Sequence, residues 1–201
     1  MDEVNDLLDE GYVFYAQCHY DEAIKCYDKV INLNPDNFEA WYYKGEAVYG
    51  QCRWGENSYD ESISCYDEAL KLNPDDYVIW LSKGIALSEK DLSSEAMTCF
   101  DKAIELKSDY FEAWHNNGNM LFRFGLYDEA IDCYDEVIRL NPNGWSIWDD
   151  KGRALLAKGL EDEANICFDK YHKIYTEYMK TCLIYSKQGC CPFLFNENQY
   201  R

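Results

Sequence analysis

The chain is 201 residues long, 47% apolar and 16% aromatic, which is enough to bury a core and excludes extended disorder. Its 19 basic residues face 38 acidic ones, a net charge of −19 that repels phosphate backbones and anionic headgroups and so argues against nucleic acid and membrane partners and for basic ones. The opening MDEVNDLLDEGYV is acidic where a secretory signal is basic, and no apolar run is long enough to span a bilayer, so the expectation is a cytoplasmic protein with reduced cysteines.

The first predicted unit, residues 4–37, closes with CYDKVINLNPD from Cys26 to Asp36. The phrase returns as CYDEALKLNPD at Cys65, CFDKAIELKSD at Cys99 and CYDEVIRLNPN at Cys133. Trp41, Trp80, Trp114 and Trp148 step by 39, 34 and 34, while Cys26, Cys65, Cys99, Cys133 and Cys167 step by 39, 34, 34 and 34. The period is therefore 34, with five residues inserted in the second unit, 38–76. That unit opens with a helix predicted from Phe38 to Gly50, capped by Asp36 with Glu39 three residues later. The insertion, Trp54 to Ser58, is expected to lengthen the turn between its two helices, with the Trp54 ring tucked against the neighbouring repeat.

The third unit spans 77–110, and the fourth, 111–144, is opened by Asp109 with Glu112. Its second helix starts at Tyr127, with acids in the first turn where the helix dipole favours them, and stops before Pro142. Ala130, Ile131, Tyr134, Val137 and Ile138 line one face of that helix at helical spacing. In the fifth unit, 145–178, Thr176 replaces the stopping Pro, so the second helix is predicted to run from Asp162 to Lys187 and to be the longest. Phe168, Tyr171, Tyr175, Tyr178, Cys182 and Tyr185 make a stripe along it. The tail CCPFLF, Cys190 to Phe195, is expected to fold back over this end and leave a monomer; the alternative is an isologous homodimer. One helical hairpin cannot bury its own apolar faces, so the five must stack.

The combination of Trp, Gly four residues on, then Tyr-x-x-Ala-x-x-x-Tyr/Phe and Pro resembles the tetratricopeptide repeat family. The fourth unit shows it most fully, in Trp114, Gly118, Leu121, Tyr127, Ala130, Tyr134 and Pro142. The resemblance covers Val4 to Tyr178 and implies an all-α, right-handed superhelical solenoid of five hairpins over 1–178, followed by a helix extension and tail over 179–201. Departures are Leu7 in place of the first Trp, Ser108 in place of a Pro, and Glu10, Lys44, Lys83, Asn117 and Lys151 where an apolar residue usually precedes the Gly.

The family implies a non-catalytic scaffold or adaptor that binds a protein or peptide in a concave groove. Its groove positions fall here on Tyr12, Tyr15, Glu39, Tyr42, Tyr43, Glu46 and Tyr49, then Leu81 and Ile85, then His115, Asn116, Asn119, Phe122 and Arg123. Tyrosine faces with Glu39, Glu46 and Glu112 suit a segment carrying basic and apolar side chains. The clamp for chaperone carboxylate tails is missing: its positions hold Leu8, Tyr12, Tyr43, Val78 and Ser82, and no later register supplies a basic pair, so such tails are not expected to bind. The alternative from another class is a self-assembling module that associates through the solenoid ends.

An enzymatic or metal-dependent role ranks third, because no phosphate loop, nucleophile elbow or His spacing for metal is present, and no cofactor, metal or catalytic residue is expected. Each repeated Cys precedes a large ring, where a small, weakly polar side chain fits. Packing is expected over a disulfide ladder, because helix axes lie about 8–10 Å apart whereas disulfides need Cα atoms within about 7 Å.

Overall fold

The computed structural model describes residues 2–52 and 59–187, which form ten helices and no strand: α1 (Asp2–Ala16), α2 (Tyr20–Leu33), α3 (Phe38–Cys52), α4 (Asp60–Leu72), α5 (Tyr77–Glu89), α6 (Ser93–Leu106), α7 (Phe111–Arg123), α8 (Tyr127–Leu140), α9 (Ser146–Ala157) and α10 (Glu161–Lys187). The expectations for the Trp54–Ser58 turn and the Cys190–Phe195 tail lie outside the described residues. Two compact units divide within α7, one ending at Asn117 and the other beginning at Gly118. In the first, α1 pairs with α2, α3 with α4 and α5 with α6; α2 packs on α3 and α4 on α5, and α3 also touches α1 and α5. In the second, α9 packs on both α8 and α10. Among the described residues no helix is long and apolar enough to cross a membrane.

What closes each hairpin is a glycine in its first helix facing a ring from its second. A Cβ added at Gly45 would lie 2.7 Å from the Tyr66 ring, and one at Gly84 2.5 Å from Phe100; Gly11 meets Tyr27, Gly118 meets Tyr134 and Gly152 meets Phe168 in the same way. The repeated cysteine sits at this closest approach: the Cβ atoms of Cys65, Cys99 and Cys133 lie 3.3, 3.2 and 3.1 Å from the same points. Cys26, Cys65, Cys99, Cys133 and Cys167 are buried free thiols, and burial pushes Cys65 and Cys99 up to about 11, so both stay neutral near pH 7.

Four of the five polar residues before those glycines, which depart from the family pattern, form bridges between hairpins. Lys44 reaches Asp28 at 2.7 Å, Lys83 reaches Asp67 at 2.6 Å, Asn117 donates to Asp101 at 2.9 Å and Lys151 pairs with Asp135. Each joins the first helix of one hairpin to the second helix of the hairpin before it. Indole N–H groups pin the connections: Trp41 donates to the Pro35 carbonyl, Trp80 to Pro74 and Trp114 to Ser108, at 3.0, 2.8 and 2.9 Å. Ser108 is tolerated in place of proline because only its backbone carbonyl is used. The Trp148 indole N–H has no such acceptor, and α9 starts at Ser146, two residues before Trp148 rather than three; the Lys170 ammonium lies 4.1 Å from its ring centroid.

The expected caps need correction. Asn37, not Asp36, caps α3, accepting from the Ala40 amide at 2.9 Å, and Asp76 caps α5, accepting from Val78 and Ile79. Asp109 stands two residues before the start of α7. The cause is a turn that precedes each helix, closed by Asn37 N–H to Asn34 C=O and Tyr110 N–H to Lys107 C=O, which carries the chain one residue further before it becomes helical. Helix α10 extends to Lys187, as its missing proline predicts, and at 27 residues is the longest described.

Candidate functional site

The side-by-side packing of α1, α3 and α5 sets the first helices of three hairpins against one another, and Glu46 lies where they meet. Tyr66 of α4 donates to its Oε1 at 2.8 Å, Tyr15 of α1 approaches Oε2 at 3.4 Å, and the Ser82 hydroxyl of α5 also bonds it. Burial raises the carboxyl above its ordinary value, and these three hydroxyls oppose the shift only in part. Among the described residues no cation acts on it.

A wall of tyrosines surrounds this carboxylate. Tyr42 and Tyr43 have ring centroids 5.0 Å apart; Tyr43 contacts Tyr12 edge-on at 6.0 Å and stacks on Tyr27 at 6.0 Å, while Tyr42 lies 6.3 Å from Tyr66. Burial, then the Glu46 carboxylate, pushes the hydroxyls of Tyr15 and Tyr42 up, so they remain neutral donors. Tyr12, by contrast, is 54% exposed and offers its ring to solvent.

Of the residues expected in the groove, Tyr12, Tyr15, Tyr42, Tyr43 and Glu46 are thus brought together. Glu39 is exposed, and its charge acts on Tyr43. Tyr49 packs against the core and lies 5.6 Å from Tyr59. Leu81 is buried and Ile85 partly so, both on α5. On α7, Asn116 bonds the Glu112 carbonyl, His115 bears on the Glu112 carboxyl, and burial raises that carboxyl. In the second unit Asn119 accepts from Tyr134 at 3.0 Å, Phe122 lies between Tyr127 and the Arg153 guanidinium, and Arg123 contacts the Met120 sulfur. Sequence reasoning missed Tyr66 and named Ser82 only as a clamp position without a basic side chain. Tyr66 was legible as the one hydroxyl-bearing plug whose partner glycine is followed by an acid, Glu46; Ser82 was not, because its role depends on how α5 lies against α3.

Three family models match the chain: one described as TPR repeat over residues 11–51, and two described as tetratricopeptide repeat over 50–111 and 111–143. No curated protein sequence matches it. Among solved structures, that of MamA protein is 23% identical, with 89% of this chain and 95% of that chain covered at a TM-score of 0.77. A MamA segment from Desulfovibrio magneticus RS-1 is 15% identical over 88% and 97%, at 0.79. YrrB, described as a TPR protein with an unusual peptide-binding site, is 20% identical over 86% and 87%, at 0.71. At these identities the likeness shows the fold, an all-α helical-hairpin solenoid.

Proposed function

The chain belongs to the tetratricopeptide repeat family of protein-interaction scaffolds, and from that premise we propose that it is a non-catalytic adaptor whose groove takes a peptide or protein segment bearing basic and apolar side chains. The observation that carries this reading is Glu46, a partly buried carboxylate held by three hydroxyls with no described cation acting on it, in a chain of net charge −19. Such a group costs stability, and its missing countercharge is what a basic partner brings. The tyrosines beside it offer large, stiff faces to the apolar and cationic parts of that partner. The reading assigns binding to the hairpins within 1–178 and treats 179–201 as an extension; YrrB is a precedent for peptide binding on this fold.

The test is anisotropy of a labelled short peptide of lysine, leucine and serine. Substituting Tyr42→Ala, Tyr43→Ala and Glu46→Gln together should weaken binding by at least about tenfold, worth about 1.4 kcal/mol, while helicity is unchanged. Affinity should also fall as salt rises. Unchanged affinity in the triple variant removes the groove from the account. Self-association through the last hairpin, where Leu156 and Ile166 are 50% and 57% exposed, is the competing reading. A mass by light scattering that stays constant on dilution speaks against it.

A further inference from the structure

We propose that Glu46 receives a lysine ammonium from the partner and discriminates against the guanidinium of arginine; this rests on the groove reading above and names the side chain that the groove selects. The argument begins with the valence left on the carboxylate. A carboxylate offers about four acceptor positions, and here three hydroxyls converge on them, Tyr66 on one oxygen, Tyr15 on the other, and Ser82. Room remains for about one more donor. An ammonium needs one acceptor at a time, whereas guanidinium binds best as a planar fork across both oxygens, and Tyr66 and Tyr15 already hold one each.

The chain's own lysines show the geometry such a site would complete. Lys44 is held at 2.7 Å by Asp28 with the Trp41 ring centroid 6.0 Å away, and Lys83 at 2.6 Å by Asp67 with Trp80 at 5.6 Å. Lys107 lies 4.4 Å from the centroid of Tyr77 and 5.7 Å from that of Tyr110. An ammonium between a carboxylate and an aromatic ring is therefore a unit this fold builds at Lys44 and Lys83, while the Lys107 ammonium, over its two rings, donates to the Tyr77 hydroxyl at 3.0 Å. At Glu46 the carboxylate is in place, with the partly exposed Tyr42 ring nearby and the hydroxyls of Tyr15 and the fully buried Tyr66 on its oxygens, and no described lysine or arginine acts on it. The tyrosines are neutral, so the groups facing Glu46 from α1, α3, α4 and α5 carry no charge of their own to compete with the ligand.

Recognition of this kind has a chemical consequence for the partner. Acetylation of the selected lysine removes the charge and should release the segment.

The experiment titrates the full chain, with carbon-13-labelled tyrosine rings, with n-butylammonium, n-butylguanidinium and N-butylacetamide. The expected result is saturable shifts of the Tyr15, Tyr42 and Tyr66 signals with n-butylammonium, at a dissociation constant at least about fivefold below that for n-butylguanidinium, and none with the amide. Glu46→Gln, which keeps an acceptor for Tyr66 and so should retain its circular dichroism, should abolish the shifts. Equal or tighter binding of n-butylguanidinium overturns the lysine assignment and leaves the groove reading standing. If neither cation gives saturable shifts although peptide binding depends on Tyr42 and Tyr43, Glu46 is not the cation receptor. Peptide affinity unaffected by the triple substitution brings down the groove reading itself.

Discussion

Within each hairpin, the ring plug and the residue after its facing glycine are matched in polarity. Tyr66 donates to Glu46 and Tyr134 to Asn119, whereas the phenylalanine plugs Phe100 and Phe168 are paired in sequence with Ile85 and Arg153, which offer no acceptor. Tyr27 breaks the rule: Tyr12 occupies the acceptor position, and the Tyr27 hydroxyl is buried without a partner. A buried, unpaired hydroxyl costs about 1–3 kcal/mol, so Tyr27→Phe should stabilise the protein by roughly 1 kcal/mol in urea denaturation. Tyr66→Phe strips a donor from a partly buried carboxylate and should cost about 1.5–3 kcal/mol in the same measurement. Glu46 sets a pH dependence whose sign follows from its raised pKa. The folded chain holds this proton more tightly than the unfolded one, so stability should fall as pH climbs from the ordinary 4.5 through the raised value, and level off above it. Glu46→Gln should remove that decline and be more stable than the parent at neutral pH. A parent curve that matches the variant's across this range would show that Glu46 ionises freely.

The four fully described turns between paired helices repeat one backbone solution. The middle residue of each three-residue connection has positive φ, +59° at Cys18, +60° at Asp91, +75° at Gly125 and +85° at Gly159, and the next amide reaches back across the helix end, as in His19 N–H to Phe14 C=O at 2.9 Å. Two of the four sites already carry glycine, the residue that adopts this conformation without a Cβ penalty. Cys18 is exposed, so Cys18→Gly should raise stability by about 0.5–1 kcal/mol, read as an increase in Tm. Helices of this kind are highly legible in sequence because their punctuation is local. The acids after Tyr127, the Pro142 stop and its absence at Thr176 bracketed α8 and α10 to within a residue. Less legible were features that depend on how elements meet. The shift of the cap from Asp36 to Asn37 follows from a turn closed by backbone hydrogen bonds, which leave little trace in residue type. Lys44 and Lys83 look like errors in an apolar position until Asp28 and Asp67, sixteen residues earlier, are seen across the interface. The tyrosines of the candidate groove could be enumerated from the family register, but the convergence of Tyr15, Tyr66 and Ser82 on one carboxylate needed the packing of α1, α4 and α5 around α3.

In a chain of stacked hairpins each hairpin answers mainly to its neighbours, so damage should stay local. Gly152→Ala puts a methyl group 2.6 Å from the Phe168 ring and should destabilise the last hairpin by about 1–3 kcal/mol. Hydrogen exchange should then show amides of α9 and α10 losing protection while those of α1 to α4 keep theirs; a uniform loss would mean that the whole chain unfolds as one unit. The bridges between hairpins bear on how this architecture tolerates changes of length. Four rungs run from a second helix to the first helix that follows it: Asp28 to Lys44, Asp67 to Lys83, and, farther out, Asp21 to Gln51 and Asp60 to Lys90. None of these four spans the turn inside a hairpin, where the five extra residues of the second unit fall; there Lys44 also lies 3.9 Å from Glu61 of its own hairpin. Contacts within that hairpin span the extra length, Tyr66 and Glu46 being 20 residues apart where Tyr134 and Asn119 are 15. The inner turn is thus a splice point, open to grafted loops or whole inserted modules, whereas one residue added between Leu33 and Phe38 would throw the following rungs out of step.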